Sequence, residues 1–239
     1  MSMDERWEQG DRNSDFLMAY LSTLNATYKN LRASEVADAL LSDKATTFAA
    51  DATLRDIYMR NLRNPFSPAF IYSVQHPESL VASLGEEAVA RKTESVLSGY
   101  QNVLISEHDG TVTMDMEKFG EFMELLSQLK VRRADHYRLQ TLMTLAEKQK
   151  DLSQYLSLLQ EYMANPELDA DDMTLAQWVK PFMEPKADPA QKAIVRKILE
   201  QRIADIDAGK RKAMTQVGNM QLSVSTRELL QRILTMTMQ

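Results

Sequence analysis

Apolar side chains recur along this chain at the three-to-four-residue spacing of a helix, with polar residues filling the intervals. Phe16/Leu17, Tyr20/Leu21, Leu24 and Tyr28 make the first stripe, and Asn13 or Ser14 stands where it can accept the exposed N–H groups of an opening turn. That predicts a helix over 14–29. A second stripe starts after Ser34 and passes through Val36 and Leu40. A third starts near Asp51, passes through Leu54, Ile57, Tyr58 and Leu62, and stops at Asn64-Pro65. Ser67-Pro68 supplies a cap with proline at the first helical position, and Pro77 limits that helix to about two turns. Gly85 can end a short turn over 80–84, after which Val89, Val96/Leu97, Tyr100 and Val103/Leu104 define a long helix ending near Ser106.

Phe119, Phe122/Met123, Leu126 and Leu129 mark another helix, followed by one carrying Leu139, Leu142/Met143 and Ala146. The clearest stripe is Leu152, Tyr155/Leu156, Leu159 and Tyr162/Met163, capped by Asp151 with Gln154 placed to reach back, and closed by Asn165-Pro166. Met173 to Val179, with Trp178, adds an amphipathic segment stopped by Pro181. Asp188-Pro189 caps a long helix through Ile194, Ile198, Ile203 and Ile206 to Gly209. Ser225-Thr226-Arg227-Glu228 forms a capping box ahead of Leu229, Leu230, Ile233 and Leu234. The total is about ten helices.

Between the long helix and Phe119 lies Ile105-Ser106-Glu107-His108-Asp109-Gly110-Thr111-Val112-Thr113. Its Asp-Gly pair and alternating neighbours could make a small hairpin, but a loop is the expectation, because no further strand is available to shelter such a ribbon. Short connections make sequential helices antiparallel neighbours. The predicted fold is therefore all-α: an array of antiparallel helical hairpins, tetratricopeptide-like, forming an α-α superhelix with a concave surface. The pair over 135–164 has the size of one tetratricopeptide unit and ends in Asn-Pro. Its consensus Trp, Gly and small-residue positions hold Arg138, Leu142 and Gln154 when Pro166 sets the register. A boundary at 108–113 would give domains 1–107 and 114–239, with one continuous domain as the alternative.

Composition agrees with helix: 7 Gly and 7 Pro in 239 residues leave few interruptions. A net charge of −6 works against a nucleic-acid surface. Cys is absent, which removes disulfides, thiolate metal sites and a redox dithiol from this chain. No apolar run approaches the roughly 18 residues of a membrane span, and residues 1–10 are too acidic and polar for a signal peptide.

Candidate chemistry is sparse. His76, His108 and His136 stand in separate segments, none at ligand spacing, so each reads as a surface or capping residue. Asp169-Ala170-Asp171-Asp172 invites a calcium loop, yet Thr174 occupies the required glycine position and Lys180 the bidentate glutamate position. These carboxylates are expected to cap the following helix and sit in its first turn, where they favour the dipole. Lys130-Val131-Arg132-Arg133 and Lys210-Arg211-Lys212 are expected to complement helix C-terminal carbonyls. Tyr155, Tyr162 and Trp178 fall on apolar stripes and read as core. Glu86 and Glu87, adjacent on a helix, point apart and make a poor acid–base pair. No catalytic, cofactor-binding or metal-binding residue is assigned, and no cofactor is expected.

Trp7-Glu8-Gln9-Gly10-Asp11-Arg12, followed by Phe16-Leu17 and Tyr20, resembles the segment directly following the thioredoxin domain in a group of large thioredoxin-like proteins of Bacteroidetes. Asn64-Pro65-Phe66-Ser67-Pro68-Ala69-Phe70 and Leu84-Gly85-Glu86-Glu87-Ala88-Val89 are similar to stretches of the same tails, as is the helix from Asp151 to Met163. The likeness spans most of the first 165 residues and stops at Pro166. It implies a helical C-terminal part whose thioredoxin domain lies upstream, in a protein of the periplasm or cell envelope. With no Cys-x-x-Cys here, no redox residue carries over. The expected function is a non-catalytic module that binds a protein or peptide and is accessory to that thioredoxin domain. The alternatives are a self-associating module using the Met-rich segment 229–238 and, less favoured, an enzyme of unknown type.

Overall fold

The computed structural model describes residues 1–184, 187–211, 214–216 and 223–237; Lys212 and Met238 lie outside the described residues. Among the described residues the chain is all-α: thirteen α-helices and one 3-10 turn, with two short antiparallel ribbons. By its contacts the chain divides into two compact units, Met1–Tyr137 and Arg138–Gln239. Among the described residues no helix is long and apolar enough to cross a membrane.

The first unit opens with a helix absent from the sequence expectation, α1 (Met3–Glu8). Ser2 and Glu5 close a capping box, with the Glu5 N–H donating to Ser2 Oγ at 3.1 Å and the Ser2 N–H to Glu5 Oε2 at 2.6 Å. Six residues are too few to display a stripe, so this helix shows no periodicity. One buried side chain, Trp7, fixes it in place: Arg12 lies 3.6 Å and Arg32 5.1 Å from the indole ring centre. The Tyr20 hydroxyl donates to Asp4, and Arg32 bonds Glu8.

Next come α2 (Ser14–Ala26), α3 (Asn30–Asp43), α4 (Ala52–Asn61), α5 (Pro68–Gln75), α6 (Glu78–Leu84) and α7 (Glu86–Leu104). Asn13 caps α2, its Oδ1 accepting the Asp15 N–H at 2.9 Å. The helix expected from Ser34 starts earlier, at Asn30, because Tyr28 ends α2 abruptly. Tyr28 sits at φ 57 while the Lys29 N–H returns to the Leu24 carbonyl at 2.9 Å. That is the helix stop usually given to glycine. Ser67 precedes α5 as expected but makes no side-chain cap bond; its Oγ lies 3.5 Å from Ser42 Oγ.

After α7, residues expected to form a loop pair instead as β1 (Ile105–His108) and β2 (Thr111–Met114), in register from Ile105↔Met114 to His108↔Thr111. Asp109 at φ 49 and Gly110 at φ 75 make the left-handed two-residue turn that suits a twisted ribbon. The ribbon needs no third strand because it packs on helices: Val112 is buried and Met114 lies against the unit's core. The 108–113 stretch is therefore internal to the first unit, and the division falls between Tyr137 and Arg138. α8 (Met116–Gln128) follows, and α9 (Ala134–Lys148) carries the chain across that division. Leu17, Leu41, Phe48, Tyr58, Phe70, Leu97 and Phe122 are fully buried in this core, where α3 meets α2, α4 and α5, and α7 meets α6 and α8.

The second unit holds most of α9, then α10 (Leu152–Ala164), α11 (Asp172–Trp178), the 3-10 turn Lys180–Met183, α12 (Pro189–Asp207) and α13 (Thr226–Met236). β3 (Met214–Gln216) and β4 (Ser223–Ser225) form its ribbon. Asp151 caps α10, the Gln154 N–H donating to its Oδ1 at 2.9 Å. The expected reach-back from Gln154 to the Asp151 N–H gives way to another bond. That N–H is already used, closing α9 onto the Ala146 carbonyl at 2.9 Å with Lys150 left-handed at φ 60. Leu139, Leu159, Leu175, Val179, Phe182, Val195, Leu199 and Leu230 make the core.

Candidate functional site

A groove of about 440 Å³ opens on the first unit, within the range of ordinary ligand pockets. α7 supplies one wall through Glu86, Ala90, Glu94 and Leu97, one helical face rising about 16 Å at 1.5 Å per residue. Val74 of α5, Val81 of α6 and Val131 before α9 complete an apolar floor together with buried Val89 and Tyr137. Glu86 lies at the N-terminal end of the α7 wall, Arg133 and His136 lie within the field of Glu94 about two turns further along, and Pro77 and Arg132 also line the groove.

Local bonding holds these walls. Gln101 on α7 donates from Nε2 to the Tyr137 carbonyl at 2.7 Å, fastening α7 to the start of α9. Lys130 at φ 51 stops α8, with the Val131 N–H returning to the Leu126 carbonyl at 2.9 Å. That stop delivers Val131 and the two arginines to the groove. The hydroxyls of Tyr58 and Ser73, 2.8 Å apart in the core, tie α5 to α4.

Burial holds the His136 imidazole below its ordinary pKa, Arg133 acts in the same direction, and Glu94 opposes them. Burial likewise pushes the Tyr137 phenol up to about 12, with Glu94 assisting and Arg133 opposing. Both rings are therefore neutral near pH 7, and formal charge on the lining is carried by Glu86, Glu94, Arg132 and Arg133. Such a groove can hold an aliphatic segment flanked by opposite charges.

A second constellation lies in the same unit. Lys92 of α7 is 4% exposed, and its Nζ donates to the carbonyls of Met59 at 3.0 Å and Leu62 at 2.9 Å, capping the end of α4. Burial, aided by nearby Arg63 and opposed by Asp38, lowers its pKa to about 7. Burial, aided by Glu35 and opposed by Lys92, raises the Asp38 carboxyl to about 7. Asp38 Oδ1 has no hydrogen-bond partner among the described residues.

The residues singled out in the sequence are scattered. His76 ends α5, its ring tilted at 37° and centred 4.7 Å from that of Tyr72, and lies 3.4 Å from Glu78. His108 projects from β1 near Asp109 at 3.3 Å, while His136 joins the groove. Glu86 faces the groove, whereas Glu87 pairs with Arg91 at 3.3 Å. Tyr155 and Tyr162 are core residues, and Trp178 packs edge-on to Tyr162 at 4.8 Å.

In the acidic run Asp171 is the expected cap, accepting the Thr174 N–H at 2.9 Å, and Asp172 sits in the first turn of α11 as expected. Asp169 instead meets Arg211 at 2.8 Å and Arg202 at 3.2 Å, and Asp172 lies 3.7 Å from Arg202. The basic clusters depart from expectation in the same way. Arg132 and Arg133 line the groove, Lys210 lies 3.4 Å from Asp205, and Arg211 is drawn to the carboxylates. Full charges outcompete the partial charges of helix ends. Lys92 and Arg202 went unnoticed in the sequence, yet both fall in phase with apolar stripes, Val89/Val96 and Leu199/Ile206. No protein-family model, curated protein or solved structure matches the chain.

Proposed function

We propose that the chain is a helical interaction module, tetratricopeptide-like in plan, that receives a protein or peptide segment in the groove of its first unit. The observation supporting this most directly is the apolar floor along α7 with Glu86 at the N-terminal end of that wall and Arg132 also lining the groove. About 16 Å of groove accommodates about five residues of extended chain at 3.3 Å each. The segment best matched to it carries aliphatic residues at its centre, a cation toward Glu86 and a carboxylate toward Arg132. The module acts by binding and performs no chemistry of its own. The resemblance of the first 165 residues to tails of thioredoxin-like proteins supports an accessory role beside a thioredoxin domain in the cell envelope.

The test is fluorescence anisotropy with labelled hexapeptides bearing an aliphatic centre, one terminal lysine and one terminal glutamate. Saturable binding is expected, weakened about fivefold by Arg132→Glu, as rim charges usually contribute. Ala90→Asp, which places a carboxylate on the exposed part of the α7 wall, is expected to abolish it. If neither these peptides nor their charge-reversed counterparts bind the intact chain saturably, the reading is wrong.

A further inference from the structure

The second unit contains a pocket of about 400 Å³ between the end of α10, the connection 165–169 and one face of α12. Met163, Leu168 and Ile198 give it apolar walls. Its unusual member is Arg202, a guanidinium whose side chain is 6% exposed. Nη1 donates to Asp169 Oδ1 at 3.2 Å, but Nη2 meets only the Met163 sulfur at 3.8 Å, and Nε stands 3.7 Å from Asp172 Oδ1, beyond hydrogen-bond range. An arginine presents five N–H donors in a planar fork, and buried donors are ordinarily matched by acceptors. Here one edge of the fork has no oxygen acceptor among the described residues.

Electrostatics indicates what would complete it. Asp169 and Asp172 face Arg202 and Arg211, and Lys210 lies beside Asp205. Lys197, exposed on the pocket wall one turn before Gln201, has no ion-pair partner among the described residues. Of the charged residues lining the pocket, Lys197, Arg202 and Arg211 are cations and Asp169 and Asp205 anions, a surplus of one positive charge in a chain whose net charge is −6. An anion gains from that surplus and from a bidentate fork, whereas a cation meets carboxylates already engaged.

We propose that this pocket binds a small amphiphilic anion, its carboxylate or phosphate head on Arg202 and Lys197 and its aliphatic body against Met163, Leu168 and Ile198. The site is independent of the groove in the first unit. A head group bridging a buried arginine and a rim lysine, above apolar walls, has the composition common to small-molecule sites.

Isothermal titration of the full chain with hexanoate, hexyl phosphate, hexylamine and hexanol tests this. One saturable site is expected for an anion, with hexylamine and hexanol at least about tenfold weaker. Hexanoate binding more tightly assigns a carboxylate ligand, and hexyl phosphate binding more tightly a phosphate. Because Arg202 also supports the fold, the deciding variant is surface Lys197→Glu, expected to weaken the anion about tenfold, while Arg132→Glu in the other unit leaves it unchanged. Absence of saturable binding by either anion, equal binding of hexanol, or an unaltered affinity in Lys197→Glu would each overturn the proposal.

Discussion

Among the described residues the first unit buries Lys92 and the second Arg202 almost completely, as it does Lys192, and Lys92 and Arg202 meet different kinds of partner. Lys92 in the first unit is 4% exposed and is offered dipoles, the carbonyls of Met59 and Leu62 at the end of α4. Arg202 in the second is 5% exposed and is offered full charges, Asp169 and Asp172. Carbonyl dipoles compensate only part of the lost hydration, so the ammonium proton is loosened, down to a pKa of about 7. The depth of burial is nearly the same, while the partners differ in kind: backbone dipoles for the lysine and carboxylates for the arginine.

The sharpest break of this comparison removes each cation in turn. Arg202→Met removes a buried charge facing both Asp169 and Asp172 and leaves Asp172, itself 7% exposed, with Arg211 alone at 3.6 Å, so it should cost about 3 kcal/mol in urea denaturation of the full chain. Lys92→Met should cost less, about 1–2 kcal/mol, because it leaves unpaired dipoles rather than under-compensated carboxylates. The Leu62 carbonyl also keeps Arg63 Nη1 at 2.9 Å. If Lys92→Met proves the more damaging of the two, the ranking of dipoles below charges fails.

A second effect is read in the pH profile. Unfolded, Lys92 keeps its proton to about 10.5; folded, it releases it near 7. The unfolded chain therefore binds more protons between those values, and stability should rise across that window. Asp38 acts in the opposite sense, holding its proton to about 7 when folded and to 3.8 when unfolded, so stability should fall from about pH 4 to 7. Together they should produce a shallow minimum near pH 7 in denaturation midpoints, flattened in the Asp38→Asn/Lys92→Met double variant.

The smallest expected change is a refinement. Arg63→Ala removes a repulsive charge, so the Lys92 pKa, followed by NMR of its side chain, should climb by a fraction of a unit toward its ordinary value. A downward move would show that Arg63 acts through something other than its charge.

Helix identity was legible wherever a stripe ran for three turns or more, as in α2, α7 and α10. Helix ends were less so. Tyr28, Lys130 and Lys150 hold the left-handed stop position otherwise taken here by Gly10 and Gly209, and nothing about a tyrosine or lysine announces that conformation. α1 was invisible because its single anchor, Trp7, depends on Arg12 and on Arg32 of a later helix. The ribbon carried a readable Asp-Gly signal, outweighed by the assumption that strands need strands. Of the groove, the apolar wall on α7 was readable, but its basic lining was not, because Arg132 and Arg133 look like ordinary helix-end cations until the chain brings them beside α7. Charged residues in phase with a stripe, Lys92 and Arg202, were the overlooked signal.

The chain has two tryptophans, and they are apportioned one to each unit: Trp7 beside the guanidinium of Arg12, Trp178 edge-on to Tyr162. Each unit thus carries its own intrinsic fluorophore in a distinct environment. Changing either indole to phenylalanine leaves the other as sole emitter, so the unfolding of the two halves can be followed separately by light alone, without any attached label.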